Sequence, residues 1–201
     1  VVHVHGDTVI GRFPVYTKTL FTSDEEKWQY VLQIIRDIDE AVYEFLLNSP
    51  DGTLRVVGPF QTKHNNCVVL SSPLPALFRF LVLNLPGKVQ TVIKQKSAFV
   101  EIAVAKSLFK PPSTYILKIR NAKSISFSQL VHDFWIFLGI KIKPEFFFKS
   151  VKVDGIYTYV TMRTLNKDAS ALVNFTRYAG LGEDRKYGYG DVEVFEVKEG
   201  M

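Results

Sequence analysis

Two hundred and one residues suffice for one large domain or two of about 100 residues each, and are too few for a large multidomain machine. Hydrophobic residues make up 47% and charged residues 22%, which excludes a disordered tail or a coiled coil and predicts a packed core. Lys and Arg total 25 against 20 Asp and Glu, a formal charge of +5 that favours polyanionic partners, nucleic acid among them, without identifying one.

A lone cysteine, Cys67, rules out an intrachain disulfide and a thiolate metal cage, so a reducing, cytoplasmic setting is expected. The apolar run Leu77 to Leu85 is broken by Arg79 and falls short of the roughly 20 residues that a bilayer crossing needs. Val1 to Gly11 has no basic stretch followed by a long apolar one, so no secretory signal is read there and no membrane partner is expected.

Along the chain, Val1 to His5 alternates apolar residues with His, and Val9 to Phe21 is rich in β-branched and aromatic residues, predicting entry through a strand or strand pair. His3 and His5 share one face there, a weak metal pair without an acidic companion, and no metal site is assigned. From Ser23 to Asn48 the residues Trp28, Val31, Ile35, Ile38, Val42 and Phe45 recur at spacings of three and four, the stripe of one long helix. Ser23 and Glu26 have capping-box spacing, and Pro50-Asp51-Gly52 ends the segment. Thr53 to Phe60 and Cys67 to Ser71 read as strands joined by the polar loop Gln61 to Asn66. Leu74 to Asn84 is compact and apolar and reads as a short second helix that periodicity alone does not separate from a strand, and Ala98 to Ala105 reads as a strand.

Lys110-Pro111-Pro112-Ser113 is the linker, because two prolines enforce extension and remove two backbone donors. Beyond it the order repeats. Tyr115 to Arg120 is strand-like, and Ser126 to Leu138 is a helix with Gly139 as its stop. Phe146 to Val153 and Ile156 to Thr164 flank the hairpin signal Asp154-Gly155. Asp168 to Tyr178 is a further helix and Val192 to Val197 a last strand. The prediction is an α+β protein of two tandem ferredoxin-like βαββαβ units with antiparallel sheets, one over 1–109 and one over 113–201.

Between the last helix and the last strand, Gly180 to Gly190 holds four glycines, Arg185, Lys186 and the tyrosines Tyr187 and Tyr189. Glycine lets a backbone approach a ligand, successive N–H groups can converge on an anion, and tyrosine rings offer faces to bases. The segment lacks the Gly-Lys-Ser/Thr ending of a nucleotide-binding loop, and it opens a strand, unlike a dinucleotide fingerprint. Gly180, Gly182, Arg185, Lys186, Tyr187, Gly188 and Gly190 are therefore candidate contacts to a single-stranded nucleic acid, the alternative being a glycine-rich connection that merely turns the chain.

The text from Tyr178-Ala179-Gly180-Leu181-Gly182 through Lys186-Tyr187-Gly188-Tyr189-Gly190, in that topological position, resembles the glycine-rich loop of the RAMP superfamily of CRISPR-associated RNA-binding proteins. It is most similar to the repeat-processing endoribonucleases, the sixth Cas family. The resemblance implies binding of CRISPR repeat RNA and its cleavage without a metal or other cofactor, the 2′-hydroxyl attacking the adjacent phosphorus to leave a 2′,3′-cyclic phosphate. Such chemistry needs in-line geometry, a proton acceptor and donor, and charge stabilisation. The family's histidine near the end of the first long helix is missing, since Asn48 to Thr53 contains none.

The substitute is His64 in the hairpin loop, with Lys27, Tyr30 and Arg55 as the alternative of cations and phenol in comparable places. His132, beside apolar neighbours, reads as structural or partly buried. If Lys118, Arg120 and Arg163 line one groove, they would contact phosphates. Sixteen phenylalanines are compatible with a homodimer face. Two other readings stay open: a non-catalytic RAMP subunit holding guide RNA among CRISPR effector subunits, and a double ferredoxin-like regulator that binds no nucleic acid.

Overall fold

The computed structural model describes residues 8–63, 65–85 and 99–198. His3, His5, His64 and the predicted strand at Val1 to His5 lie outside the described residues. The first unit runs β1 (Val9–Thr17), α1 (Asp24–Ile38), α2 (Glu40–Leu47), β2 (Arg55–Gln61), β3 (Asn66–Ser72), α3 (Pro75–Asn84) and β4 (Glu101–Val104). The second runs β5 (Thr114–Arg120), α4 (Phe127–Leu138), β6 (Phe146–Asp154), β7 (Tyr157–Thr164), α5 (Lys167–Ala179) and β8 (Asp191–Val197). Each unit forms a four-stranded sheet, in the orders β2-β3-β1-β4 and β6-β7-β5-β8, and every pairing is antiparallel. Both follow the ferredoxin-like arrangement, first strand between third and fourth, and the predicted fold class holds.

The caps explain most element boundaries. Ser23 accepts the Glu26 N–H and opens α1, Ser126 accepts the Gln129 N–H and opens α4, and Gly139 closes α4 in the left-handed region at φ 71°. The single helix predicted from Ser23 to Asn48 breaks at Asp39, which is extended at φ −154° and accepts the N–H groups of Ala41 and Val42. An aspartate favours this cap because its short carboxylate satisfies orphan N–H donors, and periodicity alone does not register it. As a result Phe45, placed in the predicted stripe, is exposed, and Leu46 takes the core position.

The first core packs Phe13, Val56, Val68 and Leu70 of the sheet against Trp28, Val31, Leu32 and Ile35 of α1 and Phe78 and Leu81 of α3. The second packs Leu117, Ile119, Met162 and Val194 against Leu130 and Phe134 of α4 and Leu172 and Phe175 of α5. Ile10, on the face of β1 opposite Phe13, belongs to the second core. Ten of the thirteen residues of α5 are buried, as a helix must be when covered on both sides. Its carboxyl end meets the first sheet, while among the described residues no helix lies over the face of the second sheet carrying Lys118 and Arg120.

Candidate functional site

The segment after α5 folds onto protein rather than standing open. At Gly182 a Cβ would stand 2.1 Å from the Lys123 carbonyl oxygen, and at Gly190 it would stand 1.7 Å from that of Leu181. Both glycines have positive φ, so close backbone passage inside the molecule is what requires them. The loop closes through Leu181 N–H to the Gly190 carbonyl at 2.9 Å and Glu183 N–H to that of Lys123 at 2.8 Å.

The predicted convergence of N–H groups on an anion exists, but the anion is the chain's own. Arg185 N–H donates to Asp51 Oδ2 at 3.1 Å and Lys186 N–H to Asp51 Oδ1 at 3.0 Å. The Arg185 side chain, only 5% exposed, donates from Nη1 to Asp133 Oδ2 at 2.8 Å and from Nη2 to the Asp51 carbonyl at 2.8 Å. Arg185 is thus corrected from a candidate RNA contact to a buried strut, because its charge is already neutralised within the fold. Lys186 stays partly exposed, with Nζ 5.8 Å from the Trp28 ring centroid and 4.9 Å from that of Tyr187.

The tyrosines also face the first unit. Tyr187 donates its phenol proton to the Glu25 carboxylate, which pushes the phenol up to about 12 and holds Glu25 below the usual carboxylate range. Tyr189 donates to Asp24 Oδ2 at 2.6 Å, and that hydrogen bond raises its phenol too. The loop is therefore a clasp between units.

The catalytic candidates fare differently from one another. Lys27 is buried, its Nζ donating to the carbonyls of Gly58 at 2.9 Å and Tyr187 at 2.7 Å, and burial lowers its pKa despite Asp24 nearby. Arg55 is fully buried, donating to Asp191 Oδ1 at 2.7 Å and to the Tyr178 carbonyl at 3.2 Å at the end of α5. Arg12 joins it, with Nη1 3.0 Å from Asp191 Oδ1, so two guanidinium groups sit at the negative pole of that helix. Burial pushes the Asp191 carboxyl up, but Arg12 and Arg55 outweigh it and hold the group below its ordinary value. The heads of Lys27 and Arg55 thus bond within the fold, to Gly58, Tyr187 and Asp24 for Lys27 and to Asp191 and Tyr178 for Arg55, and serve as struts. Tyr30 is half-buried and donates to Thr17 Oγ1 at 3.1 Å. Among the described residues no hydrogen bond or ion pair links Lys27, Tyr30 and Arg55 with one another. His132 is exposed beside Trp135, contrary to the buried reading.

Of the candidate cations, Lys118 and Arg120 are accessible on the outer face of the second sheet. Ile116, Lys118 and Arg120 point outward along β5 while Leu117 and Ile119 point into the core. The register sets Lys118 between Tyr159 and Glu193, and Arg120 between Tyr157 and Asp191. Lys118 Nζ stands 4.3 Å from the Tyr157 ring centroid, a cation–π contact. Lys118 and Arg120 line a cleft of about 400 Å³ whose far wall carries Phe60 and Phe99 of the first unit. Arg163 shares the face but pairs with Thr114, six residues from Arg120 along β5 and so about 20 Å away. Two of the three proposed groove residues are thus brought together and the third is not. The sequence reading missed Tyr157, Glu193 and Phe195, although strict alternation around Asp154-Gly155 and in β8 was the available signal. Among the described residues no three His, Cys, Asp or Glu side chains form a metal-ligating group.

No family model matches the sequence, and no curated protein matches it. Solved structures do. A Cas6 protein in a substrate-mimic complex aligns over 94% of this chain and 100% of its own with a TM-score of 0.67 at 13% identity. The chain has the Cas6 fold. A Cas6-related protein of Pyrococcus furiosus aligns over 94% of this chain and 98% of its own, with a TM-score of 0.51 at 13% identity. Cas6 of Thermus thermophilus covers 93% and 97%, with a TM-score of 0.51 at 8% identity. In this instance of the Cas6 fold the glycine-rich loop is a clasp, and Lys118 and Arg120 reach solvent from the second sheet in a cleft that also carries Glu101, Asp191 and Glu193.

Proposed function

We propose that this chain binds CRISPR repeat RNA and processes it. The observation that carries the reading is the outer sheet face, where Lys118 and Arg120 stand with Tyr157 and Phe195 in a cleft between units, Tyr159 lying beside Lys118 in register. Cations spaced by aromatic rings suit a single strand, since phosphates meet charge and bases meet rings. The Cas6 fold supports the same reading, because Cas6 proteins have been solved as substrate-mimic and product complexes. The proposed reaction is metal-independent attack by the ribose 2′-hydroxyl. His64 would exchange protons near neutrality, and Lys118 and Arg120 would offset charge on the phosphorane.

A second reading, RNA binding without cleavage as a subunit beside other CRISPR proteins, is favoured by one observation. The heads of Lys27 and Arg55 are turned inward and the Tyr30 hydroxyl is engaged, leaving His64 to carry the acid–base work. The test incubates the purified protein with end-labelled CRISPR repeat RNA in excess EDTA. A 2′,3′-cyclic phosphate product that disappears in His64→Ala supports processing by this residue. Tight binding with no product supports the second reading, and neither binding nor product overturns both.

A further inference from the structure

Glu193 is the unexpected group in the cleft. It is exposed, and among the described residues its side chain makes no hydrogen bond or ion pair, although the register puts it directly beside Lys118. Lys118 turns the other way, onto the Tyr157 ring 4.3 Å from its Nζ. A carboxylate left open in a cleft lined by Lys118 and Arg120 as well as Glu101 and Asp191 repels a phosphate but can accept hydrogen bonds from the neutral N–H donors of a base. Two residues along β8, on the same face and about 7 Å away, stands Phe195, 48% exposed. A base stacked on Phe195 presents its edge toward Glu193, with Lys118 on the adjoining strand for its phosphate.

We infer that Glu193 and Phe195 form a nucleobase subsite selective for guanine. Guanine alone of the four bases offers two adjacent donors, N1–H and the 2-amino group, which match the two oxygens of a carboxylate. Adenine and cytosine offer an amino group beside a ring acceptor, and uracil one N–H flanked by two carbonyls, each setting a lone pair against the carboxylate. The inference rests on the RNA-binding reading and goes beyond it by naming the base and the residue that reads it.

The experiment measures fluorescence anisotropy with a ten-nucleotide oligoadenylate carrying one central guanosine, against the same strand with inosine, which lacks the 2-amino group. The native protein is expected to bind the guanosine strand roughly tenfold more tightly. In Glu193→Gln the preference falls within about twofold while binding of the inosine strand persists, the change expected when a bidentate acceptor becomes an amide. Phe195→Ala weakens both strands by roughly fivefold or more, the scale of one lost stacking contact. Equal binding of both strands by the native protein, or a guanosine preference that survives in Glu193→Gln, overturns the subsite and leaves RNA binding intact. Absence of binding to either strand and to CRISPR repeat RNA overturns the subsite together with the reading beneath it.

Discussion

Arg185 of the glycine-rich loop and Asp133 of α4 form a buried ion pair, Nη1 to Oδ2 at 2.8 Å, with both side chains almost sealed from solvent. Removing one member of such a pair leaves an uncompensated charge in a medium that cannot solvate it. Arg185→Ala is therefore expected to lower the unfolding free energy by about 3 kcal/mol or more in urea titrations. Lys186→Ala next to it, whose head is partly exposed, stays within about 0.5 kcal/mol of native. A double variant, Arg185→Met with Asp133→Leu, is expected to recover part of the loss, because the charge and its counter-charge leave together.

Asp191 joins the two units through Arg12 and Arg55, and its carboxyl titrates below the ordinary range. The unfolded chain then binds this proton more readily than the folded one. The stability it contributes is fully present above the unfolded value, about pH 4, and drains away as pH falls through the lower folded value. Urea midpoints measured from neutral pH downward should drop steeply in that acid window. In Asp191→Asn the neutral-pH midpoint is already reduced, and the difference from native narrows as acid removes the native advantage.

The repeat of element order, the capping boxes at Ser23 and Ser126 and the Asp154-Gly155 turn made both units legible, because each is a local signal written within a few residues. The break at Asp39 was not legible as a break, since its carboxylate caps a helix inside an uninterrupted apolar stripe. The site was less readable still. Arg185 and Lys186 are equivalent cations in the sequence, and only Asp51 and Asp133, 134 and 52 residues from Arg185, decide that one is a strut. Arg55 and Lys27 carry charge that composition assigns to a surface, yet partners more than thirty residues away draw both inside. Lys118 and Arg120 were found because they sit on one strand with alternate neighbours turned inward, a pattern visible at short range.

Tyr187 and Glu25 fasten the clasp to the start of α1, with the phenol pushed up to about 12 by that hydrogen bond. A phenol whose folded pKa is raised contributes stability that is complete below its unfolded value, about pH 10, and is lost as pH climbs to about 12. Tyr178, buried, is also pushed up to about 12 and Tyr189 is raised by Asp24, so three late-titrating phenols are expected in an alkaline absorbance titration among the described residues. Tyr187→Phe should remove one late step, and an NMR titration should find Glu25 moved up toward the usual carboxylate range.

Lys118 and Arg120 differ from every buried cation above in that solvent reaches them, so their loss should be felt in binding and not in folding. Each phosphate contact releases condensed counterions, which ties affinity for RNA to the logarithm of salt concentration. Lys118→Ala and Arg120→Ala are each expected to weaken binding of a single-stranded RNA and to reduce the magnitude of that salt slope by about 1. Arg163→Ala, on the same face but about 20 Å along the strands, reports how far the bound strand runs. A reduced slope there extends the path across the sheet, and an unchanged slope confines it to the cleft. Native-like melting of all three variants separates these effects from the structural role that Arg55 and Arg185 play.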